Sequence, residues 1–210
     1  MAEDFSSYDQ YDNSENDPYF ISDTSQCLIN HLGITNTAEL NQAETDISEI
    51  NMADLERNPV PETYDLAHLM GIHERLFCEV YPFAGQIRLS EIGKSSHMFM
   101  PYRLIEEKAV ECFTELKCEN YLTGLPVKEF TNRAGYYFNK INSMHAFREG
   151  NGRTQRVLFN QLAKRSGLAF QWAGVSQQAM GQACREGRTG CPDGKALGKL
   201  LSLCVVELEF

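Results

Sequence analysis

Between Leu66 and Val80 the positions Leu66, Leu69, Met70, His73, Leu76, Phe77 and Val80 follow one another at intervals of 3, 1, 3, 3, 1 and 3 residues. That is one face of a helix, and Pro82 bounds it. The same period returns at Ile105, Ala109, Cys112, Phe113 and Leu116, where Pro101 suits the first turn. It returns again at Val127, Phe130, Ala134, Tyr137, Phe138 and Ile141, and in a helix over 153–166 that stops at Gly167. Two more helices are predicted near 176–185 and 193–206. Toward the N-terminus, Leu28, Ile29 and Leu32 ahead of Gly33 predict a short helix with a glycine stop. Thr37 then precedes a helix over 38–50 whose apolar side is Leu40, Ala43, Ile47 and Ile50. Residues 86–100 break the helical period: Ile87 and Leu89 alternate with polar neighbours, Gly93-Lys94-Ser95-Ser96 is turn-rich, and Met98-Phe99-Met100 follows. A short β-hairpin is predicted there. The pattern is an all-α domain with one small hairpin.

Composition refines this picture at one end. The 210 residues are 42% apolar with a net charge of −10, which excludes wholesale disorder and collagen-like or low-complexity classes. Residues 1–56 hold 13 acids and no Lys or Arg, whereas 57–210 hold 19 basic and 16 acidic residues. Residues 1–16 read as an acidic, mobile tail, and 17–210 as a single domain: N-terminal helices over 17–56, a core over about 57–185 and a C-terminal helix over about 193–206. With no Lys/Arg block, general nucleic-acid binding is not expected. Neither a secretory signal nor an apolar run of membrane-spanning length is visible, so a cytoplasmic protein is expected. Seven Cys without a C-x-x-C pair read as reduced thiols.

One segment concentrates chemistry: His145-Ala146-Phe147-Arg148-Glu149-Gly150-Asn151-Gly152-Arg153-Thr154-Gln155-Arg156. Gly150-Asn151-Gly152 can turn successive N–H groups inward as an anion nest, reinforced by the positive end of the helix that begins there. Arg153 and Arg156 share a face of that helix with Asn160 and Lys164, an arrangement suited to linked phosphates. Glu149 beside such a nest makes sense if a Mg²⁺ bridges its carboxylate to phosphate oxygens. His145, at the end of the preceding helix, suits a general base. Phe147 would pin the loop to the core. Arg148 reads as a solvated residue, and His31, His68 and His73 as structural histidines.

The segment matches H-x-F-x-(D/E)-G-N-G-R-x-x-R, the signature of the Fic family of nucleotidyl transferases, with Ala146 where proline is common. Asp17-Pro18-Tyr19, the run Phe83-Ala84-Gly85-Gln86-Ile87-Arg88 and the hairpin after it also resemble small bacterial Fic proteins. The chain does not resemble the related Doc kinases, which carry lysine in place of the second glycine. The resemblance implies the Fic fold, a helical bundle around a central helix-loop-helix active site with a β-hairpin flap. It implies that His145 deprotonates a target hydroxyl and that Glu149 holds Mg²⁺ against the phosphates of ATP. Gly150, Asn151 and Gly152 would form the nest, Arg153 would bind the phosphate chain and Arg156 the γ-phosphate. AMP would pass to the target, docked by strand addition on hairpin 86–100, and pyrophosphate would leave.

Many Fic proteins carry an inhibitory helix with (S/T)-x-x-x-E-(G/N). Here Thr35…Glu39-Leu40 and Thr45…Glu49-Ile50 lack the final Gly or Asn, so the resemblance is to the arrangement in which a separate small antitoxin supplies that helix. Gyrase or topoisomerase IV subunits are the first targets it suggests. The alternatives are transfer of another nucleotide or phosphocholine, and a non-enzymatic interaction module.

Overall fold

A computed structural model of the chain describes residues 12–13, 17–22, 24–94, 97–189 and 193–208. Helix α1 spans Thr37–Arg57, and Asn36 caps it by accepting the Glu39 N–H at 3.0 Å. Helix α2 spans Leu66–Phe77, and the Asp65 carboxylate caps it through the His68 N–H at 2.8 Å. After Pro101 a short 3₁₀ turn, Tyr102–Leu104, leads into α3, Ile105–Cys118. Helices α4 (Val127–Met144), α5 (Asn151–Lys164), α6 (Gln177–Thr189) and α7 (Lys195–Cys204) complete the set among the described residues.

Five short strands accompany them among the described residues: β1 (Asp12–Asn13), β2 (Ile92–Lys94), β3 (His97–Met98), β4 (Leu168–Phe170) and β5 (Val205–Glu207). Strands β2 and β3 form a hairpin, the flap, within the expected 86–100, but Ile87 and Leu89 lie ahead of its first strand, and Gly93 and Lys94 are strand residues rather than turn. Two pairings were not expected. β1 lies antiparallel on the outer side of β2, Asp12 opposite Gly93 and Asn13 opposite Ile92. β4 pairs with β5, Ala169 opposite Val206, and closes the C-terminal end of the fold.

Helix α4 is the central element. Phe130, Ala134, Tyr137, Phe138 and Ile141 are buried in the main core cluster, and α4 packs on α3, α5, α6 and α7. Its approach to α7 is backbone against backbone. A Cβ at Gly135 would lie 2.2 Å from the Gly198 nitrogen and 2.8 Å from the Gly194 carbonyl oxygen, so only glycine permits this crossing.

The structure corrects three expectations. The short helix ahead of Gly33 does not form. Leu28 bridges to Phe20, and the Asn30 side chain donates to the Leu28 and Ile34 carbonyls at 2.9 and 2.8 Å while accepting the Ile34 N–H, closing a loop in place of a helix turn. α1 runs seven residues past the expected end, and its buried positions are Leu40, Glu44, Ser48 and Leu55, with Ile50 70% exposed. The inward stripe of α1 is therefore partly polar, because it meets a charged partner described below. Within the acidic N-terminal tail, Asp12 and Asn13 are held on the flap, whose edge N–H and C=O groups they pair; residues 1–11 and 14–16 lie outside the described residues. So do Ser95, Ser96 and Cys191. The six described cysteines are all free thiols, as expected, with Cys27, Cys112 and Cys204 buried.

Gly135→Ala should destabilise the protein by about 1–3 kcal/mol or more, because the added methyl group overpacks a contact made by two backbones. Urea denaturation would measure it, and a change below the lower bound would show that α4 and α7 can move apart at little cost.

Candidate active site

The segment singled out from the sequence forms the loop between α4 and α5. His145 ends α4 in the left-handed conformation, φ 45°, and Gly150 opens α5 with φ 74°. Two left-handed residues at the ends of a six-residue loop turn the chain tightly from one helix into the next. Gly150 is required by space as well as by φ: a Cβ there would lie 2.3 Å from the Phe77 ring. A Cβ at Gly152, by contrast, would meet nothing within 4 Å. The first turn of α5 therefore opens onto unfilled space with its unsatisfied N–H groups and positive dipole end, as an anion cradle requires.

Side chains brace the loop from below. Asn151 is buried and closes it, accepting the Phe147 N–H at 2.9 Å and donating to the Phe147 carbonyl at 2.7 Å. Phe147 is buried against His73, ring centroids 3.9 Å apart, as its expected pinning role requires. His73 accepts the Gly85 N–H at Nδ1, 2.8 Å, which leaves Nε2–H to donate to the Glu149 carbonyl at 3.0 Å. Burial holds this imidazole neutral, pushing its pKa down to about 3. His73 is thus structural, and what it supports is the backbone of Glu149.

The His145 ring stacks on Phe99, at the end of the flap, with centroids 3.8 Å apart. Its carbonyl accepts from Arg88 Nε at 2.8 Å. The Glu149 carboxylate accepts the Gly150 N–H at 2.8 Å and lies 3.8 Å from the Arg153 guanidinium. An oxygen donor beside an open, amide-lined cradle fits a hard cation such as Mg²⁺, which needs one or two carboxylates and takes its other ligands from phosphates and water. No group of three or more His, Cys, Asp or Glu suited to a metal exists among the described residues.

The two arginines have different surroundings. Arg153 turns toward α1 and α2: it forms an ion pair with the buried Glu44, donates to Ser48 Oγ at 2.9 Å and lies over the Phe77 ring. Glu44 also accepts the Tyr81 hydroxyl at 2.6 Å. Burial and the Glu44 charge hold the Tyr81 pKa well above its ordinary value, so it stays a donor. Arg156 lines a pocket of about 260 Å³ with Asn160 and Lys164, facing Met52, Leu55 and Trp172. The shared face expected for Arg156, Asn160 and Lys164 is present, and Arg153 is the member drawn away from it.

Sequence reading missed Glu44, Ser48, Tyr81, Arg88, Phe99 and Asp17. Glu44 and Ser48 carried a usable signal: with Leu40 they sit at successive i, i+4 positions of α1, and a polar pair in an otherwise apolar stripe calls for a buried partner. Arg148 was misread. It is buried in an ion pair with Asp17, Nε to Oδ2 2.8 Å.

The sequence pattern of the Fic/DOC family matches residues 63–163, which contain α2, the flap, α4 and nearly all of α5. The chain is 39% identical over 178 residues to "Protein adenylyltransferase VbhT" of Bartonella schoenbuchensis, covering 85% of this chain and 37% of that protein. It is 33% identical over 191 residues to "Probable protein adenylyltransferase Fic" of Salmonella typhimurium, covering 91% of this chain and 93% of that protein. In fold it superposes on the BepC protein of Bartonella tribocorum, solved with bound AMPPNP, with a TM-score of 0.84 at 21% identity, covering 91% of this chain and 98% of that one. The chain belongs to the Fic/DOC family. Both of these relatives carry the name protein adenylyltransferase, one of them as probable.

Two measurements check the architecture of the site. Glu44→Ala should cost about 3 kcal/mol or more in urea denaturation, because Arg153 loses its buried carboxylate; Ser48→Ala should cost only about 1 kcal/mol. His73 takes up its proton near pH 6.5 when unfolded and near pH 3 when folded, so its contribution to stability falls as pH drops through that interval. The stability advantage of wild type over His73→Gln should therefore shrink between about pH 7.5 and about pH 4.5. A constant gap would mean that His73 is not held neutral.

Proposed function

We propose that this protein transfers AMP from Mg-ATP to a hydroxyl side chain of another protein, with the α4–α5 loop as the catalytic centre. The open, amide-lined start of α5 carries the reading: it follows His145, stacked on Phe99, and Glu149 on one loop, and the empty space over Gly152 suits phosphate. The N–H groups of Asn151 and Gly152 would hold the phosphates, joined by that of Gly150 once the Glu149 carboxylate turns from it to the metal. Arg156 would meet the terminal phosphate from its pocket. Arg153, bound to Glu44 and 3.8 Å from Glu149, would act from the side of the cradle. His145 would take the proton from the attacking hydroxyl, its ring fixed by Phe99. Glu149 would hold Mg²⁺, which when bound neutralises phosphate charge as pyrophosphate leaves.

The target segment would add to the flap as an extended strand. With β1 on one side of β2, β3 is the hairpin's own remaining edge, and it leads directly to Phe99 on His145. The pocket beside Arg156 supports the antitoxin reading. Its apolar floor of Met52, Leu55 and Trp172 would take a partner helix, whose carboxylate on Arg156 would compete with the terminal phosphate. Of the α1 carboxylates, Glu44 goes to Arg153, and Glu56 lines the pocket with Arg156. By resemblance, type II topoisomerase subunits stand first among targets to assay. No described helix is long and apolar enough to cross a membrane.

Incubation with ATP labelled on the α-phosphate, Mg²⁺ and a bacterial lysate should label a discrete protein band, and ATP labelled on the γ-phosphate should not. His145→Ala should lower transfer by about 100-fold or more. Arg156→Ala should lower it through poorer triphosphate placement, and unimpaired turnover would remove the role given to that residue. Transfer of the γ-label would make the protein a kinase, and no transfer of either label, in preparations free of any partner protein, would favour an interaction module.

A further inference from the structure

The N-terminal stretch ahead of the first helix makes contacts that the proposed chemistry does not use. Asp17 and Arg148 form an ion pair whose side chains are 0% and 3% exposed, 131 residues apart in sequence. The other Asp17 oxygen accepts the Tyr19 N–H at 3.2 Å and lies 3.5 Å from the Ser90 hydroxyl. The Tyr19 hydroxyl accepts the Leu89 N–H at 2.9 Å. Phe20 lies against the Arg148 guanidinium, 5.2 Å from ring centre to Cζ. Further toward the N-terminus, Asp12 and Asn13 pair with Gly93 and Ile92 of the flap.

These contacts run to two places. Leu89, Ser90, Ile92 and Gly93 are the base and first strand of the flap. Arg148 immediately precedes Glu149 and follows Phe147 in the catalytic loop. A buried ion pair is a poor source of net stability, because desolvating both charges offsets much of their attraction. What it does supply is a fixed geometry, since a buried guanidinium and carboxylate tolerate few other arrangements. Here the geometry fixed is the distance between flap and loop.

We infer that Asp17 is a positioning residue for AMP transfer, fastening the flap to the catalytic loop through Arg148 and Ser90. The inference rests on the proposed transferase function. The flap presents the acceptor hydroxyl, and the loop presents His145 and the phosphates. Asp17 touches neither substrate. It sets the register between the two halves of the reaction, so its loss should slow transfer and leave nucleotide binding in place, because the cradle at Gly150–Gly152 and the Arg156 pocket do not depend on it.

The test compares wild type, Asp17→Asn and Tyr19→Phe. The second variant removes the acceptor for the Leu89 N–H without touching a charge, and keeps the question open to measurement if Asp17→Asn folds poorly. Three quantities are read: affinity for Mg²⁺ with the non-hydrolysable ATP analogue AMPPNP by calorimetry, transfer of α-label from ATP to lysate protein, and amide hydrogen exchange. Asp17→Asn should bind AMPPNP within about threefold of wild type while transfer falls roughly tenfold or more, the penalty of a slightly misplaced acceptor. Exchange should quicken together at residues 89–94 and 146–148, and Tyr19→Phe should show smaller changes of the same sign. Transfer within about twofold of wild type in both variants would overturn the inference. So would a loss of AMPPNP affinity matching the loss of transfer, which would make Asp17 a general support of the fold. If wild type transfers no label, the transferase reading fails. The exchange data still decide the fastening: quickening at both segments upholds it, and quickening at neither removes it.

Discussion

Arg88 has no exposed side-chain surface, and a guanidinium so placed must be met by oxygens. It donates to the carbonyls of Ser90 at 2.6 Å, His145 at 2.8 Å and Met144 at 3.3 Å, and to that of Met100. Ser90 and Met100 are the two ends of the flap, and Met144 and His145 are the end of α4. One side chain thus gathers the flap and the end of α4 on a single charge. The last carbonyls of a helix lack intrahelical donors and lie at its negative end, so a buried cation there satisfies hydrogen bonding and dipole together. Two backbone bonds extend the tie: Arg88 N–H to the Ala146 carbonyl at 2.9 Å, and Met100 N–H to the Ser143 carbonyl at 3.1 Å.

The rest of the site follows from that fixed junction. With the flap held to the end of α4, Phe99 can stack on His145, and the left-handed turn at His145 is supported on both sides. The loop is then carried to α5 by Phe147 on His73 and by the Asn151 side chain. Around it lies a shell of buried charges, Glu44 on Arg153 and Asp17 on Arg148, supplied by segments that precede the family-matching region at 63–163. Helix α1 and the strap at 17–20 are therefore parts of the site as much as of the fold.

The helices were legible because each is written in a local period, and the four central ones fell close to their expected bounds. The candidate loop was legible as a segment because its histidine, carboxylate, glycines and arginines lie within twelve consecutive residues. Misreadings arose where a polar residue serves a distant partner. α1 was given the apolar face Leu40, Ala43, Ile47 and Ile50, but Ile50 is exposed and Glu44 and Ser48 are buried, because Arg153 needs them. Arg148 looked solvated since nothing near it in sequence could neutralise it. The turn at 28–33 looked helical by its leucines, yet one asparagine side chain satisfied its backbone in another way.

What the sequence determined by itself was the set of elements and the kind of chemistry: amphipathic periods that commit segments to helices, and a histidine, a carboxylate, two glycines and two arginines spaced for a phosphate at a helix start. These are local properties, set by 3.6-residue periodicity and by backbone freedom at glycine. Only the tertiary structure decided the partnerships: Arg88 with four carbonyls, Asp17 with Arg148, Glu44 with Arg153, Phe99 with His145, and the N-terminal strand with the flap. Burial makes such polar contacts obligatory, but it does not fix their sequence separation. Their members carry no common period by which the chain could announce them.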